Sequence, residues 1–393
     1  MPQDKQAFFP ILEGIRILDL TRNIAGPVST MLAAEMGAEV IKVEPPGGDE
    51  MRNWPPFVEG ESVYFVSCNR GKRSIALDLK ADEDKAVFFE LLSKADVVVE
   101  NYRPGTLERM GLGWENVKDD HPKLVWVSVS GYGRTGPRAN APAYDTMMQA
   151  YVGIMGITGE AGGLPVRSGG SPIDIATSYL AFSAIVSGVH AASKTGQGIL
   201  MDTSLMESGM GFMHAYLQGA LSDLPIPGRL GSETMGMYPV ATFLASDNEH
   251  CLTQVSNEIQ WRKFCNVLGA EELISDERFA TNPVRVQNRD TLRPIIEKYF
   301  KARPAHEWEK AFIEAGVPVS HVRKATDVPD DAQIRAREMI KPVRMPSGNE
   351  IPSWGMPLKV NGAVSQKTLG VPGFNQHREE ILKEIGLSNK KDA

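Results

Sequence analysis

The N-terminal half of the chain alternates short apolar runs with stretches of helix formers. Residues 15–20 (Ile-Arg-Ile-Leu-Asp-Leu) have the length and content of a strand. A turn with Gly26-Pro27 follows, and residues 28–36 read as a helix closed by Gly37, with Pro27 suited to its first position. Residues 38–43 predict a second strand, and 74–79, 96–100 and 124–129 repeat the signal, with an amphipathic helix over 82–95. Such alternation predicts a parallel sheet covered on both faces.

Past Gly196 the pattern changes. Residues 200–203 predict a short strand, and Ser204-Leu-Met-Glu207 matches a capping box opening a Met-rich helix. Residues 221–237 hold Pro225, Pro227, Gly228, Gly231 and Gly236 and read as a linker or loop. Two runs at 240–245 and 250–255 flank Asp247-Asn248 and predict a hairpin of a second, smaller domain, continued by helices near 257–268, 291–300 and 305–315. A polar helix over 375–386 brings the tail back to the first domain. The expected limits are 1–220 for the first part of the large domain, 221–329 for the small one, and 330–393 for the returning segment.

A chain of 393 residues has ample length for more than one core, and 42% hydrophobic with 23% charged residues is a globular composition. Cys68, Cys251 and Cys265 form neither a disulfide framework nor a metal knuckle, which fits a reducing cytoplasm. Asp4, Glu13 and Asp19 interrupt the first thirty residues, so they do not read as a signal peptide. The quiet stretch 173–193 carries Asp174, Ser178, Ser183, Ser187 and His190, and a membrane span is not expected. A net charge of −7 lacks the basic footprint of a nucleic-acid binder but leaves room for a small anionic ligand.

Among candidate chemistries, the turn Thr21-Arg-Asn-Ile-Ala-Gly-Pro27 has one glycine where a dinucleotide loop needs three. A P-loop, a compact metal motif and a Gly-x-Ser-x-Gly elbow are missing as well. What remains is local positive charge on turns, at Arg22, Lys72, Arg73, Lys80, Arg103 and Arg109. In a parallel sheet, ligands bind outside the carboxyl ends of strands, where Arg22, Lys80 and Arg103 are expected to converge on an anion. Asp174 follows Gly-Gly-Ser-Pro at the start of an apolar helix, where the helix dipole and free amides of the first turn favour a carboxylate. Its plainer reading is a helix cap, as is that of Tyr144-Asp145.

Several segments together resemble the class III CoA-transferases of the formyl-CoA and carnitine-CoA transferase type. They are Leu12 to Leu20 followed by Ala25-Gly-Pro27, Gly37-Ala-Glu-Val-Ile-Lys-Val-Glu44, and Asn69-Arg-Gly-Lys-Arg-Ser-Ile-Ala-Leu-Asp-Leu-Lys80. Val99-Glu-Asn-Tyr-Arg-Pro-Gly105, Ser130-Gly-Tyr-Gly-Arg-Thr-Gly136, Asp174-Ile-Ala-Thr177 and Lys194-Thr-Gly-Gln-Gly198 continue the match in order. The resemblance implies an α/β fold: a Rossmann-like large domain from both chain ends, a smaller α+β domain, and an interlocked homodimer. It implies a CoA-transferase with Asp174 as the catalytic carboxylate, working through aspartyl anhydride and aspartyl-CoA thioester intermediates. Acyl-CoA and a small carboxylic acid are the substrates, with no permanently bound cofactor and no metal.

The resemblance places the CoA contacts on Leu77, Lys80, Asn101, Tyr102 and Arg109, with the backbone of Asn23, Ile24 and Ala25 near the pantetheine. Basic contacts of formyl-CoA transferase become Pro45 and Pro142, and a glutamine beside its reacting centre becomes Ile24, so Arg22, Lys72, Arg73 and Arg103 are expected to supply charge instead. Tyr144, Asp145, Gly231 and Gly236 are expected on the substrate side, the two glycines in a reduced lid. The pattern is closest to dicarboxylate-using members such as succinate–hydroxymethylglutarate CoA-transferase. Succinyl-CoA is the expected donor, and Arg52, Arg167 or Arg229 the expected holder of a distal carboxylate. The alternatives are a 2-methylacyl-CoA racemase, whose catalytic histidine is replaced here by Tyr144, a poor base near neutral pH, and a non-catalytic CoA-binding subunit.

Overall fold

The computed structural model describes residues 9–387, so Asp4 and the last six residues lie outside it. Six parallel strands, β1 (Arg16–Asp19), β2 (Glu39–Glu44), β3 (Lys72–Ala76), β4 (Val97–Glu100), β5 (Val125–Ser130) and β6 (Ile199–Ser204), form one sheet in the order β3-β2-β1-β4-β5-β6. Alternate strand residues point to opposite faces. Leu18, Ile41, Ile75, Val98 and Trp126 pack on one face against Phe88 and Leu91. The other face is covered by two long helices.

The first of these, α1 (Ala25–Glu35), lies against β1, β2 and β4. It starts two residues before Pro27, which therefore occupies the third helical position, where its missing N–H still falls among the orphan donors of the first turn. The helix α2 (Asp82–Leu92) supplies Phe88 and Leu91, and α3 (Asp145–Tyr151) precedes the long α4 (Pro172–Thr195). By length and composition α4 would reach across a membrane. Here Ile173, Ala181 and Ile185 are buried, and the helix packs along α1, β5 and β6. In α5 (Leu205–Phe212), Ser204 accepts the Glu207 amide hydrogen at 3.1 Å as foreseen, but the Glu207 carboxylate accepts from the Ser204 hydroxyl rather than reaching back to the backbone.

Two compact units emerge. One runs to Val152, resumes at Gly169–His214 and returns from Asp331 onward; the other comprises Gly153–Ser168 and Ala215–Asp330. The stretch 153–168, which the sequence pattern leaves in the first part, thus groups with the second unit. That unit has its own antiparallel sheet, β7 (Val240–Leu244), β8 (His250–Gln254) and β9 (Val319–His321), turned at Asn248 in the left-handed region (φ 62°). Its helices α6 (Glu258–Leu268), α7 (Arg289–Phe300) and α8 (Ala305–Glu314) bury Phe264, Phe300, Trp308 and Phe312 in a stacked aromatic core.

The returning segment ends in α9 (Arg378–Glu384) and docks on the edge strand β3 of its own unit. The His377 imidazole accepts the Ser74 amide hydrogen at 3.1 Å, the Asn375 side chain accepts that of Ala76 at 2.8 Å, and Ile381 enters the sheet core. Strand β3 begins at Lys72, two residues before the expected start. Its first two residues are charged, and an apolar count passes over them although Lys72 is buried. The three cysteines are buried and unpaired.

Candidate active site

Strand β1 ends in Asp19, which is fully buried. Its carboxylate accepts from the Thr21 amide at 2.9 Å, the Thr30 hydroxyl at 2.8 Å and the Lys72 ammonium at 2.8 Å. Burial opposes its charge, but the Lys72 and Lys42 ammoniums outweigh burial and hold the carboxyl down at about 2. This knot fixes the turn that follows. Gly26 is required there, because a Cβ would lie 2.4 Å from Thr21 Cβ. Asn23 adopts a left-handed conformation (φ 64°), and its side-chain oxygen is buried without a partner.

The turn after β4 clamps the first one. Asn101 accepts the Arg22 amide hydrogen at 3.0 Å and donates to the Arg22 carbonyl at 2.7 Å, while the Arg22 guanidinium lies 5.1 Å from the centre of the Tyr102 ring. Beneath it, Glu100 accepts from Ser128 and from the Tyr102 amide, with Arg134 at 3.3 Å; burial dominates and pushes its carboxyl up to about 7. At the end of β5, a Cβ on Gly131 would stand 2.3 Å from Ala143 Cβ, so only glycine lets the loop holding Ala139, Pro142 and Tyr144 close over the strand end.

These turns enclose a cleft of about 350 Å³ at the carboxyl ends of the strands, with Asp174 in its wall. The N-terminus of α4 is not arranged as the sequence suggests. Its first amides are taken by Asp145 of α3, whose Oδ2 accepts from Ile173 at 2.7 Å and Asp174 at 3.0 Å. The Asp174 carboxylate makes no hydrogen bond among the described residues. Desolvation first, and the Asp145 charge second, push it up to about 7 rather than stabilising its ionised form. Asp174 is thus neither the cap nor a carboxylate favoured by free amides.

The cleft brings together Arg22, Asn23, Ala25, Asn101, Tyr102, Arg103, Tyr144 and Asp174 of the expected residues. Arg22 and Arg103 have no carboxylate partner among the described residues, and Glu50, missed in the sequence, adds a carboxylate to the wall. Ile24 caps α1, and Lys80 and Arg109 are exposed away from the cleft lining.

The Leu77 side chain belongs to the sheet core. Lys72 is buried on Asp19, and Arg73 is committed to Glu39, Glu380 and Glu384, so neither offers its charge to the cleft. Arg52 is likewise held by both oxygens of Glu44, at 2.7 and 2.8 Å. Asp145 is buried and does not line the cleft. Gly231, Gly236, Arg167 and Arg229 belong to the second unit, where Gly231 (φ 61°) donates its amide hydrogen to the Gly159 carbonyl. No cluster of metal-ligating side chains occurs among the described residues.

The family profile described as CoA-transferase family III matches residues 12–378. The chain belongs to this family. Among its relatives, an acetyl-CoA:oxalate CoA-transferase of Acetobacter aceti is 35% identical over 382 residues, covering 96% of this chain and 97% of that one. A succinyl-CoA:glutarate CoA-transferase of Mus musculus is 36% identical, covering 95% and 86%. A succinyl-CoA:mesaconate CoA-transferase of Haloarcula hispanica is 36% identical, covering 96% of each. In structure, a CAIB/BAIF family protein from Brucella suis superposes with a TM-score of 0.83 at 34% identity, covering 96% and 100%. The family III enzyme therefore moves CoA between an acyl-CoA and a carboxylic acid.

Proposed function

We propose that the enzyme transfers CoA from succinyl-CoA to a small dicarboxylic or hydroxycarboxylic acid, with Asp174 as the nucleophile. The observation that carries this reading is the Asp174 carboxylate, unbonded in a cleft with the unpaired cations Arg22 and Arg103. The succinyl-CoA relatives support the donor. In the first step Asp174 attacks the thioester carbonyl and the C–S bond breaks, giving a mixed anhydride and CoA thiolate. The thiolate attacks the aspartyl carbonyl, releasing succinate and leaving an aspartyl-CoA thioester. The acceptor carboxylate displaces the thiolate to form a second anhydride. Thiolate attack on the acceptor carbonyl then releases acceptor-CoA and regenerates Asp174. A carboxylate is a weak nucleophile, so positioning and exclusion of water carry the rate.

CoA is a substrate here, and no permanent cofactor or metal takes part. Arg22, Asn23, Ala25, Asn101, Tyr102 and Arg103 are read as its contacts. Lys80 and Arg109 are kept for the outer phosphates, with only the backbone of Ile24 and Leu77 available. The strand order β3-β2-β1-β4-β5-β6 supports a Rossmann-like large unit. Exposed Tyr179, Leu180, Met210 and Phe212 support burial in a homodimer, interlocked as the resemblance implies. Free cysteines support a cytoplasmic location.

The test is a panel of acceptor acids with succinyl-CoA or acetyl-CoA, product analysis by mass, and hydroxylamine trapping of the acyl-enzyme. Asp174→Ala is expected to lose transfer by about 10⁴-fold or more. Substantial activity in that variant refutes the nucleophile, racemisation of a 2-methylacyl-CoA without acceptor refutes the class, and a monomer by light scattering refutes the assembly.

A further inference from the structure

We propose that Asp145 is a positioning residue for Asp174: it occupies both free amides at the start of α4 and so leaves the nucleophile's carboxylate unbonded in the cleft. The inference rests on the reading of Asp174 as nucleophile. A carboxylate at the start of a helix ordinarily folds back onto the first-turn amides, which would tie up its lone pairs and lower its basicity. Asp174 lies in that turn but is denied those donors.

Asp145 reaches across from α3, 28 residues or more upstream, and accepts both hydrogens on one oxygen. Its other oxygen accepts from Gln149 at 2.5 Å, one helical turn along α3, and both side chains are buried. The cap is therefore built from the core side, while Asp174 faces the cavity. The arrangement fixes the Asp174 backbone through its own N–H. It also sets a second negative charge beside the nucleophile, which makes its carboxylate more basic.

The charged and titratable neighbours leave Asp145 in that role. Helix α1 offers only Glu35, which pairs with Arg70. Strand β5 offers none, and Asp202 of β6 is bonded to the Arg134 amide. Glu207 of α5 is bonded to Ser204, and Tyr151 of α3 lies against Tyr132. On α4 itself the next titratable side chains are Tyr179, His190 and Lys194. Across the cavity stand Arg22, Glu50, Tyr102, Arg103 and Tyr144. Desolvation and Asp145 are the causes that raise Asp174.

Asp145→Asn keeps a carbonyl oxygen for the two amides and removes the charge, whereas Asp145→Ala removes the cap as well. With succinyl-CoA and the best acceptor of the panel, Asp145→Ala is expected to lower kcat by about 10- to 10³-fold with donor KM changed less than about threefold. Asp145→Asn is expected to retain more of kcat and to move the acidic limb of kcat down by about half a pH unit or more. Without substrate, the thermal stabilisation that Asp174→Asn gives at pH 8 is expected to shrink in the Asp145→Asn background.

An unmoved acidic limb and unchanged stabilisation in Asp145→Asn overturn the proposal. So does an Asp145→Ala enzyme with raised KM and intact kcat, which would make Asp145 a binding residue. If Asp145→Ala does not fold, the Asp145→Asn limb decides. Activity retained in Asp174→Ala would instead strike the nucleophile reading.

Discussion

Asp174, the proposed nucleophile, illustrates how a desolvated carboxylate acts against the fold that holds it. Its proton affinity is raised because water is scarce around it and Asp145 is close. Between its ordinary value and about 7, the folded chain therefore binds more protons than the unfolded one. Stability is expected to fall as pH rises through that window, since the slope follows the protons held by the unfolded state minus those held by the folded state. Asp174→Asn removes the titration. The variant is expected to melt above the wild type at pH 8, with the difference shrinking towards pH 5, in paired thermal melts. A constant difference across pH would place the cause elsewhere. The residue's place at the cleft was legible in the sequence, from Gly-Gly-Ser-Pro before it and the family pattern around it. The sign of its electrostatics was not, because the residue that consumes the α4 amides lies on a different helix.

At the scale of elements, the cleft is made where strands end, and the sequence pattern located most of those ends. What it missed were the contacts that aim the turns. Lys72 and Arg73 read as turn-borne charge for an anion, yet Lys72 spends its charge on Asp19 at the end of β1. Two buried charges that cancel at a distance of 53 residues look, in sequence, like two independent surface groups. Gly131 is another such case. Its place after β5 is plain, but its necessity comes from the loop that crosses it at Ala143. Gly131→Ala forces a Cβ into that loop and is expected to cost about 1–3 kcal/mol of stability, as overpacking does. Because the same loop carries Tyr144 into the cleft wall, KM for the acyl-CoA is expected to rise by about tenfold or more. Chemical denaturation and steady-state kinetics check both effects. Loss of stability with unchanged KM would separate the loop from binding.

At the scale of the molecule, the chain leaves its first unit at Val152 and returns to it for good at Asp331. The return was visible as a polar helix near the end; its purpose was not. Strand β3 is a sheet edge, and an uncovered edge pairs readily with other chains. The tail covers it with side-chain contacts and isolated backbone hydrogen bonds rather than with a further strand, so no run of alternating residues announces the pairing. Asn375 makes two of these contacts. Its side chain accepts the Ala76 amide hydrogen at 2.8 Å, and its own amide donates to the Ser74 hydroxyl at 3.0 Å from a left-handed conformation (φ 55°) that asparagine tolerates. Asn375→Ala leaves the Ala76 amide without its partner and places alanine in a left-handed backbone. The two costs together are expected to reach about 2–4 kcal/mol. Hydrogen exchange then distinguishes a local from a global effect. Faster exchange at Ala76 and through residues 375–384, with β1 and β4 still protected, is expected if the tail is a latch on one edge. Uniform loss of protection would mean that the returning segment is part of the sheet's cooperative core.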